Sequence, residues 1–155
     1  MTPRESRVLK GTITLPYQWA LGPTNTRFFE EFQNKRIMGT RCQQCGRVLV
    51  PARSFCSRCF KDMDEWVQVK DEGTLRTWVL INFPYEGQPK EPPYIIGLIE
   101  LNGANNGFSH FIGGLKNYRI DFLKERVRIG MRVKAVWKEK REGTIFDIEY
   151  FKPTE

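Results

Sequence analysis

Four cysteines are the residues in this chain best suited to chemistry. They stand as Cys42-Gln43-Gln44-Cys45 and Cys56-Ser57-Arg58-Cys59, with ten residues between the pairs, and they are all the cysteines present. Two Cys-x-x-Cys knuckles bring four soft thiolates to one tetrahedral Zn²⁺. Gly46 follows the first pair, where the backbone must turn tightly around a metal. Two disulfides or four free core thiols are the other readings. A disulfide needs an oxidising compartment, and no secretory signal precedes the cysteines. A redox dithiol needs only one Cys-x-x-Cys. A metal held by four protein ligands keeps no open position, so Cys42, Cys45, Cys56 and Cys59 are expected to hold structure rather than to catalyse.

Other catalytic groups are scarce. His110 is the only histidine and falls in the middle of an expected strand. A lone strand histidine is ordinarily packed or solvated. There is no Gly-x-Ser-x-Gly elbow and no P-loop. The chain reads as a binding module, with no catalytic residue of its own.

The elements that must position the cysteines follow from the flanking sequence. Residues 1–11 are polar and are expected to be flexible. The stretch from Ile13 to Gly22 is apolar and aromatic, but Pro16 breaks it. Thr24 or Asn25 can cap a helix over 25–36 that places Phe28, Phe29 and Phe32 on one face and ends at Gly39. That face either packs on the ribbon or docks on another protein; exposed aromatics in a small module mark such surfaces. Tyr17, Trp19, Leu21, Phe28, Phe29 and Phe32 are therefore the candidate partner-docking residues. Val48 to Pro51 supply a short strand between the knuckles, and Phe55 and Phe60 are expected to cover the metal. The ribbon is too short to bury a core, so the metal must stabilise it.

Beyond Trp66 the pattern is β. Strands are expected over 73–82, 94–101, 108–112, 132–138 and 145–151, with a short helix over 116–125 between the third and fourth. In the first strand Leu75, Thr77, Val79 and Ile81 share one parity. Five strands in this order outline an OB-fold barrel. The expected architecture is mainly β: an N-terminal helical segment over 1–36, a rubredoxin-like zinc ribbon over 37–64, and a five-stranded OB-fold barrel over 65–155.

Charge adds a second clue. The 155 residues carry a formal net charge of +7. The segment from Lys116 to Arg141 holds ten Lys/Arg against three acids, which is the whole excess. Such a patch suits a polyanion or a phosphorylated small molecule, and it also suits a solvated face. No apolar run approaches the roughly 20 residues of a membrane helix, so a soluble, cytoplasmic protein is expected. A basic barrel bearing Trp78, Phe108 and Phe111 could stack single-stranded nucleic acid, and that reading stays open.

The chain from about Leu15 to Phe151 also resembles a known family, the zinc-ribbon/OB-fold acyl-CoA-associated proteins, once catalogued as a domain of unknown function. The resemblance rests on several motifs in order. They are Leu15-Pro16-Tyr17 with Gly22, Phe28-Phe29-Glu30-Glu31-Phe32, the two knuckles with Val50-Pro51, Glu65-Trp66-Val67, Gly73-Thr74, Pro93-Tyr94 and Ile129-Gly130-Met131. Ser57 and Phe60 stand where the family often has Pro and Gly. The resemblance implies a non-catalytic accessory subunit in a hetero-oligomer with a thiolase-like partner. That partner carries the reactive cysteine and base, and the small subunit helps complete an acyl-CoA site. It implies structural zinc and a coenzyme A shared with the partner, with Arg119, Lys124, Arg126 and Arg128 as candidate phosphate contacts.

Overall fold

The computed structural model describes Val8, Gly11 and residues 15–154. The expectations for the first eleven residues and for Ile13 lie almost wholly outside that range. From Leu15 to Leu21 the chain is exposed and takes no regular structure, as its proline suggests.

Helix α1 spans Gly22–Glu30 and continues as a 3₁₀ turn over Glu31–Asn34. It starts earlier than its polar residues suggest, because Pro23 occupies the first turn, where a missing N–H costs nothing. Neither Thr24 nor Asn25 caps it; Thr26 Oγ1 instead donates to Gly22 O at 2.7 Å. Lys35 ends the turn in the left-handed region, at φ 56°. Gly39 is not the terminator. It lies in strand β1, where a Cβ would come within 2.8 Å of Leu49 O, so glycine is what lets the neighbouring strand approach.

Strands β1 (Ile37–Arg41), β2 (Val48–Leu49) and β3 (Glu65–Val69) form one antiparallel sheet in the order β2-β1-β3. By pairing, β3 belongs to the ribbon, and it leads directly into the barrel. Strands β4 (Glu72–Ile81), β5 (Tyr94–Leu101), β6 (Gly107–Ile112), β7 (Arg132–Trp137) and β8 (Ile148–Pro153) close the barrel in the order β4-β5-β6-β8-β7. Helix α2 (Ile120–Arg126) lies between β6 and β7 in the chain, the OB-fold arrangement. A 3₁₀ turn over Ile145–Asp147 replaces the start of the expected fifth strand.

One register differs from the simple alternation. A bulge between Leu75 and Thr77 inserts an extra residue into β4. Leu75 points into the core, but past the bulge Trp78 and Leu80 take over and Val79 is exposed. An odd residue flips every later side chain to the other face.

One continuous core joins the parts. Phe28 and Phe32 of the helical segment, Ile37, Val48 and Val50 of the ribbon, and Leu75, Ile99 and Phe151 of the barrel belong to a single buried cluster. The ribbon thus leans on the barrel's core as well as on its metal. Phe32 meets Trp137 of β7 edge-on at 5.7 Å, and the Arg27 guanidinium lies 4.3 Å from the Trp66 ring. The edge of β2 is closed by two asparagines from the β5–β6 turn. Val48 N–H donates to Asn105 Oδ1 and Val50 N–H to Asn106 Oδ1, both at 2.8 Å, and Asn106 Nδ2 donates back to Val50 O at 2.6 Å. Backbone groups that would otherwise be left open on an edge strand are satisfied there.

Candidate functional site

The two knuckles are built alike. Cys42 N–H donates to Arg47 O at 2.9 Å and Gly46 N–H to Cys42 O at 2.8 Å. Fourteen residues on, Cys56 N–H donates to Lys61 O and Phe60 N–H to Cys56 O, both at 2.8 Å. Each loop needs a residue in the left-handed region after its second cysteine. Gly46 supplies it at φ 72°, and Phe60 at φ 52°. A side chain there costs about 1–2 kcal/mol that glycine avoids.

The four cysteine sulfurs lie within 4.8 Å of one another, with Cys45 Sγ 3.8 Å from Cys56 Sγ. A tetrahedral zinc with Zn–S bonds of about 2.3 Å sets its sulfurs roughly 3.8 Å apart, so the donor set fits this ion. Backbone N–H groups of Cys59 and Arg58 pull the Cys56 thiol down to about 7. Its neighbour Cys59 is pushed up to about 12 by hydrogen bonding with Cys45 and by burial. Thiols this close cannot all ionise without a cation between them, and a divalent metal supplies it. Cys42, Leu49, Cys56 and Met63 form a small buried cluster around the sulfurs. The two phenylalanines expected over the metal are elsewhere: Phe55 is 51% exposed and Phe60 81% exposed. Both rings face solvent, because the knuckle turns point them off the ribbon.

The aromatic front end divides. Phe28 and Phe32 are completely buried, and Phe29 is half-buried beside them, with Phe28 and Phe29 edge-on at 5.3 Å. Their face is filled by the junction of ribbon and barrel, so Phe28 and Phe32 are core residues and present nothing to a partner. Tyr17 (82% exposed), Trp19 (74%) and Leu21 remain on the surface. A cleft of about 430 Å³ with Leu21, Pro23, Arg53 and Phe55 in its wall joins this strip to the second knuckle.

The four basic candidates are all exposed, but they do not converge. Arg119 is the residue before α2, Lys124 lies in its last turn, and Arg128 Nε donates to Glu125 O at 3.1 Å. Arg126 enters a cleft. That cleft, of about 510 Å³, gathers Lys116, Arg126 and Lys152 around Leu115, Phe122 and Met131. Among the described residues no carboxylate lines it and none of its three cations is in an ion pair. Lys116 was only one charge among ten in the sequence, and Lys152 lies beyond the basic segment; barrel closure brings them together. A larger cleft of about 650 Å³ holds Lys90, Lys138 and Lys140. Glu142, Asp147 and Glu149 also line it, and Lys140 pairs with Glu142 at 2.8 Å, so it has no comparable field.

The remaining candidates are structural. Phe108 is buried, so it cannot stack a base, while Trp78 and Phe111 are half-buried. His110 is buried too; Nε2 donates to Ile145 O at 3.0 Å, Nδ1 has no hydrogen-bond partner among the described residues, and burial lowers its pKa.

Comparison with known proteins matches both halves. Residues 29–64 fit the rubredoxin-like zinc ribbon domain of ChsH2, and residues 66–138 fit its C-terminal OB-fold domain. A DUF35 domain-containing scaffold protein of Methanocaldococcus jannaschii is 31% identical over 125 residues, covering 77% of this chain and 82% of that protein. This chain belongs to the DUF35 family. Another DUF35 scaffold protein, from Pyrococcus furiosus, is 26% identical over 76% of this chain and 80% of its own length. Among solved structures, a DUF35 protein of Sulfolobus solfataricus superposes with a TM-score of 0.60 at 26% identity, covering 85% of this chain and 84% of that one. A chain of an Ltp2–ChsH2(DUF35) aldolase shares the fold at TM-score 0.64 and 22% identity, over 88% of this chain and 98% of its own. The matched ribbon carries the four cysteines; Tyr17, Trp19 and Leu21 lie before the matched residues, and the basic cleft draws on Lys116 and Arg126 within the matched barrel and on Lys152 beyond it. Among the described residues no helix is long and apolar enough to cross a membrane.

Proposed function

We propose that this DUF35 chain is a non-catalytic accessory subunit of a thiolase-type complex acting on acyl-CoA. It holds the partner through its aromatic strip and contributes to the coenzyme's binding site. The observation that carries this reading is an exposed strip, Tyr17, Trp19 and Leu21, on a folded chain whose four cysteines are grouped as a metal donor set. Large exposed aromatics on a well-packed domain mark a protein interface. The scaffold naming of the M. jannaschii relative supports the same reading.

The division of labour follows from the chemistry. Thioester cleavage or condensation needs a nucleophile and a base within reach of the carbonyl; among the described residues the four cysteines are grouped as a metal donor set and His110 is buried. The partner's reactive cysteine and base perform that step. Coenzyme A carries a 3′-phosphate and a pyrophosphate. Lys116, Arg126 and Lys152 offer three cations to such groups, with Phe122 and Leu115 beside them for apolar contact. Arg119, Lys124 and Arg128, exposed in and beside α2, add long-range attraction.

Titration calorimetry of the assembled complex with coenzyme A tests the phosphate role. Replacing Lys116, Arg126 and Lys152 together by Glu is expected to weaken coenzyme A binding about tenfold or more at low salt. Binding of pantetheine, which lacks those phosphates, should be unaffected. Equal loss for both ligands would contradict the assignment.

A further inference from the structure

We propose that Phe60 is an anchor by which the zinc ribbon grips the partner protein, seating its ring in an apolar pocket with an acidic rim. The inference rests on the accessory-subunit reading and names a contact residue within it. The argument begins with the two knuckles. They make the same pair of backbone hydrogen bonds, so both need the left-handed conformation after the last cysteine. Gly46 meets that need without strain; Phe60 meets it at φ 52° with its ring 81% exposed. The ring makes no aromatic contact among the described residues and lines none of the clefts described above. A bulky apolar side chain held in a costly conformation and turned outward has its use outside the chain.

The surroundings define the occupant. From the first cysteine to Asp64 the ribbon carries four cations, Arg47, Arg53, Arg58 and Lys61, against two acids, Asp62 and Asp64, which share a cleft with Lys61. Arg47 is tied to the barrel through Asn105 O at 3.2 Å, and the other three make no ion pair among the described residues. Phe55, the other exposed ring of this knuckle, pairs across the turn with Asp62. Two apolar rings beside a net excess of cations, with Arg53 and Arg58 free of ion pairs among the described residues, fit a protein surface with a greasy pocket and carboxylates around it.

The test compares Phe60→Gly and Phe60→Ala in the full-length chain. Each variant is measured for zinc content, melting temperature and affinity for the partner enzyme. Both should keep one zinc per chain and bind the partner about tenfold or more weakly. Phe60→Gly, relieved of strain, should melt no lower than the native chain and up to about 3 °C higher. Phe60→Ala keeps the strain and loses only the ring, so its weaker binding isolates the ring's part. Either variant binding as tightly as the native chain overturns the proposal while leaving the accessory role standing. Loss of zinc in step with loss of binding overturns it too, by making Phe60 structural. So does loss of self-association in place of partner binding. Failure of the native chain to bind any thiolase-superfamily enzyme would overturn the underlying reading and this anchor with it.

Discussion

Asn106 does more for the junction than its place in a turn suggests. It both donates to and accepts from the backbone of Val50, which no strand reaches on that side. Removing one partner of a buried hydrogen bond costs more than the bond's net contribution. Asn106→Ala is expected to lower unfolding free energy by about 2 kcal/mol in a denaturant titration. His110 supplies a pH signature. Burial holds its pKa below the usual 6.5, so the unfolded chain takes the proton first. Its contribution is intact above that value and is lost as pH falls through it. Between about pH 7 and pH 5 the native chain should lose more melting temperature than His110→Phe; equal slopes would contradict the assignment. These residue roles were only partly legible. The sequence marks the histidine as solitary, but not that its ring nitrogen meets Ile145 O, because the two are joined only by the closing of the barrel.

At the scale of elements, the cysteine spacing was legible because metal geometry dictates it locally. Strand β5 was read to the residue, since Pro93 and Asn102-Gly103 bracket a β-branched run. The parity of β4 was not, because a bulge depends on the partner strand's register. The apolar face of α1 was legible from spacing, but not what covers it; Phe32 needed Trp137, over a hundred residues away, to become core. The ribbon's dependence on metal is likewise divided. Its cysteines sit in their own small cluster, while Ile37, Val48 and Val50 join the barrel. Chelation should therefore open the knuckles to alkylation and leave the barrel's amides protected from exchange, with proton release on adding zinc back. Global unfolding on chelation would show that the shared core is too weak to hold.

Across the whole molecule, the fold separates three tasks. The metal site stiffens one end, the exposed strip from Tyr17 to Leu21 lies beside it, and the cleft at α2 gathers cations on the barrel. Under the proposed accessory role each of the three serves a larger catalyst. Lys116 and Lys152 show why function was harder to read than fold: they are 36 positions apart, and only β8 pairing next to β6 makes them neighbours. The most direct measurement is acyl-CoA turnover by this chain alone, by a thiolase-superfamily enzyme tested as its partner, and by the two mixed. The account predicts no turnover from this chain alone and full, stable activity only in the mixture. Turnover by this chain alone, or a partner equally active and stable without it, would contradict the account.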